Sequence, residues 1–318
     1  MKTLGQFFTV IRRDRLLILC ALFITAVALL AVTDFALPFF GYQLTGYSYD
    51  AISNDSLNGP SWQHWFGTDT LGHDLLARTL FGAQISLFVA AVATLMSLFI
   101  GVTYGMISGY AGGRVDNLMM RLVEIVYSLP TLVLVIVVVT TLDDSAASAI
   151  QAAGVFSSRL LGAWTINVTE GISPRLVLII AFLGLTEWFT MARIIRGQVL
   201  VLKEQAFVQA AQALGQSHFR ILWSHLLPNL SGLIVVYLTL TVPAVMLDES
   251  FMSFLGVGVQ QPLASWGTLV ANAASLINPV HSYWWLLVFP GACMTLTLLA
   301  LNFLGDGLRD ALDPRVKK

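Results

Sequence analysis

Between Arg78 and Arg114 the chain carries no Asp, Glu, Lys or Arg. A helix crosses roughly 30 Å of hydrocarbon with about 20 apolar residues, and inside lipid every backbone amide and carbonyl must be bonded within the segment itself. A stretch this long and this free of charge therefore belongs to a helix in a bilayer. The rest of the chain points to the same solvent. Only 11% of its residues are charged and 57% are hydrophobic, with a mean hydropathy of +0.78, whereas a soluble globular domain is about one quarter charged. A formal net charge of -1 leaves no basic footprint for nucleic acid. Cys20 and Cys293 both stand in apolar runs and read as small core hydrophobes rather than a disulfide or metal pair.

Six segments are long and apolar enough to be spans, at about 16–37, 82–110, 117–142, 174–196, 229–255 and 283–305. They predict an all-α, polytopic membrane protein. Lys2, Arg12, Arg13 and Arg15 before Leu16–Val32 imitate a signal peptide. The apolar run is longer than a usual signal core, however, and no small-x-small cleavage site follows, so it is expected to stay as the first span. Polar stretches at 38–81 and 143–173 separate the spans, and Pro262, Asn272, Asn278 and Pro279 mark a loop or re-entrant stretch before the last. Lys and Arg are retained on the cytoplasmic side. With the amino terminus inside, all of the 17 except Arg78, Arg159 and Arg175 fall on inner segments. Both termini are thus expected in the cytoplasm, with 38–81 and 143–173 outside and 197–228 inside.

That inner segment contains KEQAFVQAAQALGQSHFRILWSHLLPN, Lys203 to Asn229. Lys203–Leu214 has good helix formers and no breaker. Gly215 stands where a positive-φ helix end is expected, and Ser217 is placed to cap a second short helix that Pro228 and Asn229 end near Leu227. Ala206, Ala210 and Ala213 share one side, leaving a shallow surface for another protein. Taken alone, the segment could equally be an amphipathic connector on the membrane surface. The order Ala210–Ala211, Gly215, Ile221 within an apolar stretch, then Leu227–Pro228, resembles the EAA loop of ABC-importer permeases, which docks on the ATPase subunit. Gln209 stands where that family often has Glu.

Further motifs resemble the peptide/nickel branch of these permeases, the oligopeptide and dipeptide permease C type. They are FGTDTLGHDLLARTLFGAQISL (Phe66–Leu87, with His73 where Arg is common), MRLVEIVYSLP (Met120–Pro130), SFLGVGVQQPLASWG (Ser253–Gly267) and LNFLGDGLRDALDPR (Leu301–Arg315). The resemblance implies a six-helix subunit in a bacterial plasma (inner) membrane. It would pair with a homologous B-type permease, two ATPases that bind ATP and Mg, and an extracytoplasmic solute-binding protein, importing peptides or similar small solutes. Residues 1–65 would be an N-terminal helix and outer loop, and 66–318 the transport domain with its coupling loop at about 203–228.

Arg121 and Glu124 lie three apart on one helix face and are expected to form a structural ion pair. Glu187, Asp248 and Glu249 fall within spans, where ionisable groups are costly and face protein or a watery cavity, so they are candidates to line a pathway. His64, His73, Asp69 and Asp74 cluster in the first outer loop, but their spacing matches no metal motif, and the resemblance makes Asp69 and Asp74 scaffold. No metal site is expected. No G-x-x-x-x-G-K-[ST] occurs, so the chain is expected to hold no ATP of its own, nor any other cofactor. A gradient-driven transporter would instead favour inverted repeats of broken helices, and a membrane scaffold would leave Asp248 and Glu249 without a role.

Overall fold

The computed structural model describes residues 15–37, 42–161, 173–277 and 281–312. Lys2, Arg12, Arg13, Arg315, Lys317, Lys318, Asn278 and Pro279, used above for sidedness and loops, lie outside the described residues. Helices are α1 Arg15–Ala36, α2 Leu75–Ala111, α3 Gly113–Tyr127, α4 Thr131–Leu161, α5 Pro174–Leu202, α6 Ala206–Ala213, α7 His218–Phe254, α8 Trp266–Ser275 and α9 Trp284–Leu312. Among the described residues there is no strand beyond one isolated bridge, Thr68 to Asp74. Their starts are set by side chains that accept otherwise unbonded amides. Asp74 accepts from Ala77 N at 2.8 Å at the head of α2. Ser173 does the same for α5, with Pro174 in its first turn, and Ser265 with Thr268 closes a capping box on α8.

Five of these helices, α1, α2, α5, α7 and α9, are long and apolar enough to cross a membrane. The third expected span, 117–142, is not one helix. Pro130 has no amide hydrogen and disfavours a helical residue before it, so α3 ends at Tyr127 and α4 starts afresh at Thr131. α3 is amphipathic. Asp116, Met120 and Val123 are buried, while Val115, Leu118, Leu122 and Ile125 are exposed. The apolar run TLVLVIVVVTTL falls instead in the first half of α4. The stretch at 143–173, expected to be a polar loop, continues as helix through Leu161, because its small residues form helix readily.

The fifth span also departs from expectation. Pro228 does not end a helix; α7 runs through it from His218 to Phe254. Its second turn is π-helical over Ile221–Leu226, with Leu227 N bonded to Leu222 O. This wider turn shifts the carbonyls that the Pro228 ring would otherwise strike.

The closest helix pair is α2 with α5, joined along Gly101, Gly105 and Gly109. A Cβ on Gly105 would stand 2.5 Å from Ala192 O, and one on Gly109 2.8 Å from Arg196 O. Small residues at such spacing let backbones meet in lipid, where the hydrophobic effect supplies little attraction between helices. Val89, Ala90 and Ala93 of α2, Ile179 and Leu183 of α5, and Val245 and Met246 of α7 form the central core. α1 lies at the edge with only Leu17 and Ala31 buried, tied to α2 by Gln84 Nε2 donating to Asp34 Oδ2 at 2.6 Å.

At the end of the bundle where α2 begins, residues 42–74 fold back on themselves. Leu57 N bonds Asp69 O, Thr68 N bonds Asn58 O, and Leu75 N bonds Gly67 O, all within 3.0 Å. Trp285 Nε1 donates to Thr68 O at 3.3 Å, pinning this loop to α9. Arg78 Nη1 donates to Asp69 Oδ2 at 2.7 Å, His73 Nδ1 lies 2.8 Å from the same oxygen, and His64 Nδ1 lies 2.9 Å from Asp74 Oδ1. Burial pushes the Asp69 carboxyl up, but its hydrogen bonds with His73 and Arg78 prevail and hold it below the usual carboxylate range. His64, Asp69, His73 and Asp74, with Arg78, therefore serve as cap and ion pair for the start of α2.

Candidate functional site

The segment after α5 folds as expected in kind and differs in detail. α6 is confined to Ala206–Ala213, and Lys203 ends α5 instead of opening α6. Gly215 has φ +72°. Gln216 N bonds Ala211 O at 3.1 Å and Gly215 N bonds Gln212 O at 2.9 Å, the paired bonds of a Schellman cap. Ser217 then accepts from Arg220 N and starts α7. His225 Nε2, 2.9 Å from Gln216 Oε1, braces the corner from inside.

The loop is seated on the bundle by an apolar cluster. Val208, Ala211, Ile221, Leu226 and Leu230 pack with Val102 and Met106 of α2 and with Met191, Ile195 and Val199 of α5. Ala211, which the resemblance to the EAA loop makes part of a docking segment, is 4% exposed and Ile221 is fully buried; both are anchors. Polar ties add to this. Lys203 Nζ donates to Gly109 O at 3.2 Å, and Tyr110 Oη lies 3.0 Å from His218 Nδ1. Gln209, Ala210 and Pro228 are exposed, and Gln209 Nε2 donates to Glu204 O at 3.2 Å. So are Phe207, Leu214, Phe219 and Trp223, with Leu214 80% and Phe219 70% exposed. The sequence reading passed over these large apolar residues, although the position of Leu214 and Phe219 beside Gly215 was the available signal.

Above the loop, a cavity of about 1000 Å³ lies between the α3–α4 junction, α4, α5 and α7. Its wall is apolar at Pro130, Leu134, Val138 and Phe182, and polar at Thr186, Thr190, Glu187 and Asp248. Glu187 and Asp248 stand side by side within hydrogen-bonding reach. Their neighbour Glu249 does not belong to this wall. One residue on, a helix turns by about 100°, and Glu249 is fully buried. It accepts from Ser253 Oγ at 2.8 Å and from Ser86 Oγ at 3.4 Å. Ser86 Oγ in turn accepts from Trp266 N at 3.1 Å, linking α7, α2 and α8.

The expected Arg121–Glu124 ion pair is absent among the described residues. Both side chains are exposed, where such a pair gains little over hydration. Arg196 of α5 instead meets Asp116 of α3 with two bonds, Nε to Oδ1 at 2.5 Å and Nη2 to Oδ2 at 2.6 Å. Ser108 Oγ also donates to Asp116 Oδ1 at 2.5 Å. The bonds from Arg196 and Ser108 outweigh burial and hold the Asp116 carboxyl below its usual range.

A helical bundle with a seated loop and a side cavity is a scaffold that many transporters could share; kinship decides among them. Residues 101–318 match the family described as "Binding-protein-dependent transport system inner membrane component". The chain belongs to this family of ABC-importer permeases. It is 45% identical over 259 residues to the dipeptide transport system permease protein DppC of Bacillus subtilis, covering 81% of this chain and 71% of that one. It is 42% identical over 260 residues to the oligopeptide transport system permease protein OppC of the same organism, covering 81% and 74%. With OppC of Escherichia coli (strain K12) the identity is 40% over 252 residues, 79% and 72% of the two chains. This permease is thus a membrane transport subunit of a binding-protein-dependent importer.

Proposed function

We propose that this permease supplies half of the passage in an importer of peptides or similar small solutes, with both termini in the cytoplasm and the 203–228 loop as its contact with the ATPases. The observation that carries this is the division of labour within the loop. Ala211 and Ile221 are buried in a cluster continuous with α2 and α5, while Leu214 and Phe219 are left exposed beside the Gly215 corner. Such a loop can take a push on its outer side and pass it into the bundle. The cavity between α4, α5 and α7 is one wall of the passage, with Glu187 and Asp248 on it, and α4 is the sixth crossing. A homologous B-type permease closes the other side. Two ATPases bind ATP and Mg, and an extracytoplasmic binding protein delivers the solute. The peptide class rests on the names of the relatives. Residues 66–318 form the transport domain, and 1–65 add the peripheral α1 and the outer loop.

The chain has no phosphate-binding loop, so hydrolysis should depend on the partners. Reconstituted in lipid with a B-type permease, two ATPases and a peptide-loaded binding protein, it should show ATP turnover that rises with peptide. Alone, it should show none. Turnover by the purified chain alone would overturn the assignment, as would a complete complex indifferent to its loaded binding protein. Orientation is checked separately. In a background lacking Cys20 and Cys293, cysteines at Asn54 and Gln216 should react with an impermeant reagent from opposite sides, Asn54 in intact cells. Labelling of Asn54 only after the cells are opened would reverse the topology.

A further inference from the structure

α3 is interrupted at both ends. Gly112 and Gly113, at φ +64° and +54°, separate it from α2, and Ser128–Leu129–Pro130 separate it from α4. Helical continuity therefore does not fix its angle; side chains do. Met120 and Val123 pack on Phe189, and Tyr104 Oη donates to Met119 O at 2.8 Å. These contacts hold α3 to the bundle, and two charged contacts from α5 add to how it lies. Near its start, the nearly buried Asp116 takes the two-pronged bond from Arg196. Near its end, the Arg193 guanidinium lies 4.6 Å from the centre of the Tyr127 ring. α5 runs on through Lys203 into the coupling loop, and Tyr127, Leu129 and Pro130 form part of the cavity wall.

We propose that the Asp116–Arg196 pair is a positioning link that carries movement of the coupling loop, through α5, into α3 and so into the cavity wall. The proposal rests on the importer function given above. Two parallel bonds between a planar guanidinium and a carboxylate resist rotation as well as separation, which an apolar contact does not. Ser108 adds the end of α2 to the same joint. Loop, α5, α3 and the end of α2 thus move as one body, with Pro130 as the place where the chain gives.

Charge reversal tests this in the reconstituted complex. Asp116→Arg and Arg196→Asp should each leave subunit assembly and basal ATP turnover in place, while solute imported per ATP falls by about tenfold or more. The exchange of both charges in one chain should restore most of that yield. A second measurement needs no variant in the pair. Spin labels on the exposed Leu118 of α3 and Ala213 of α6 should keep their separation between nucleotide-free and ATP-trapped complexes, because loop and α3 travel together. Single reversals that import solute with normal yield would overturn the link. So would an assembled double exchange no better than either single change, or a Leu118–Ala213 separation that changes in the unaltered pair. If the variants fail to assemble, the label separation decides. A complex whose ATP turnover ignores solute would sink the importer assignment and the link with it, an outcome distinct from loss of yield alone.

Discussion

Gly105→Leu is expected to abolish accumulation of folded chain in the membrane. A Cβ there already falls 2.5 Å from Ala192 O and 2.9 Å from Ile195 Cβ, and a leucine adds three more carbons with nowhere to go. Backbone cannot step aside as a flexible side chain does, so α2 and α5 must part. Overpacking of this kind costs about 3 kcal/mol or more. The core of α2, α5 and α7 and the seat of the 203–228 loop open together, because both are built on that pair. Gly197→Ala is the matched control, since a Cβ at Gly197 meets nothing within 4 Å. Detergent-solubilised yield and the size-exclusion profile check the difference; a Gly105→Leu chain as abundant and monodisperse as the Gly197→Ala chain would show that the close approach is not needed.

Phe219→Glu and Leu214→Glu are expected to separate the folded chain from its ATPases. Both side chains are largely exposed, and beyond the surface contact of Phe219 with Trp223 neither change disturbs the packed core. A carboxylate where an apolar anchor enters a partner's pocket costs about 2 kcal/mol, roughly thirtyfold in affinity. Retention of the ATPases on the tagged permease, together with solute-stimulated hydrolysis, should fall by that order, while the chain alone elutes normally. Ala211→Glu would act differently, by burying a charge beneath the loop, and the chain itself should suffer. Full ATPase retention by both surface variants would remove Leu214 and Phe219 from the contact.

Much of the bundle was legible because lipid leaves little choice. The uncharged run of α2, and the apolar runs of α1 and α9, read directly as helices. What failed were local rules overruled by tertiary detail. Pro130 divides the third expected span although apolar residues flank it on both sides, whereas Pro228 is absorbed by a π turn that no local pattern announces. At the loop, Gly215 and Ser217 were readable because caps depend on single residues. The inward turn of Ala211 was not, since it depends on Val208 and Ile221 closing over the ends of α2 and α5. Arg121 and Glu124 had the spacing of a pair, yet the bonds go to Asp116 and Arg196, 80 residues apart. Asp248 and Glu249 looked alike as neighbours, and only the rotation of α7 sends one to the cavity and the other to Ser86.

The environment of Glu249 bears on how the protein is made. A carboxyl group entering hydrocarbon without partners is expensive, and α7 carries this one into the bilayer. The members of its hydrogen-bonded cluster arrive at different times. Ser253 belongs to the same helix and travels with it, while Ser86 was synthesised 163 residues earlier and stands in α2. Trp266, whose amide donates to Ser86 Oγ and completes the cluster, emerges last. Chain order thus places a polar berth in the membrane before the group that needs it leaves the ribosome, and the closing residues seal it from behind. The biogenesis of the later half of the bundle is in this sense templated by the earlier half.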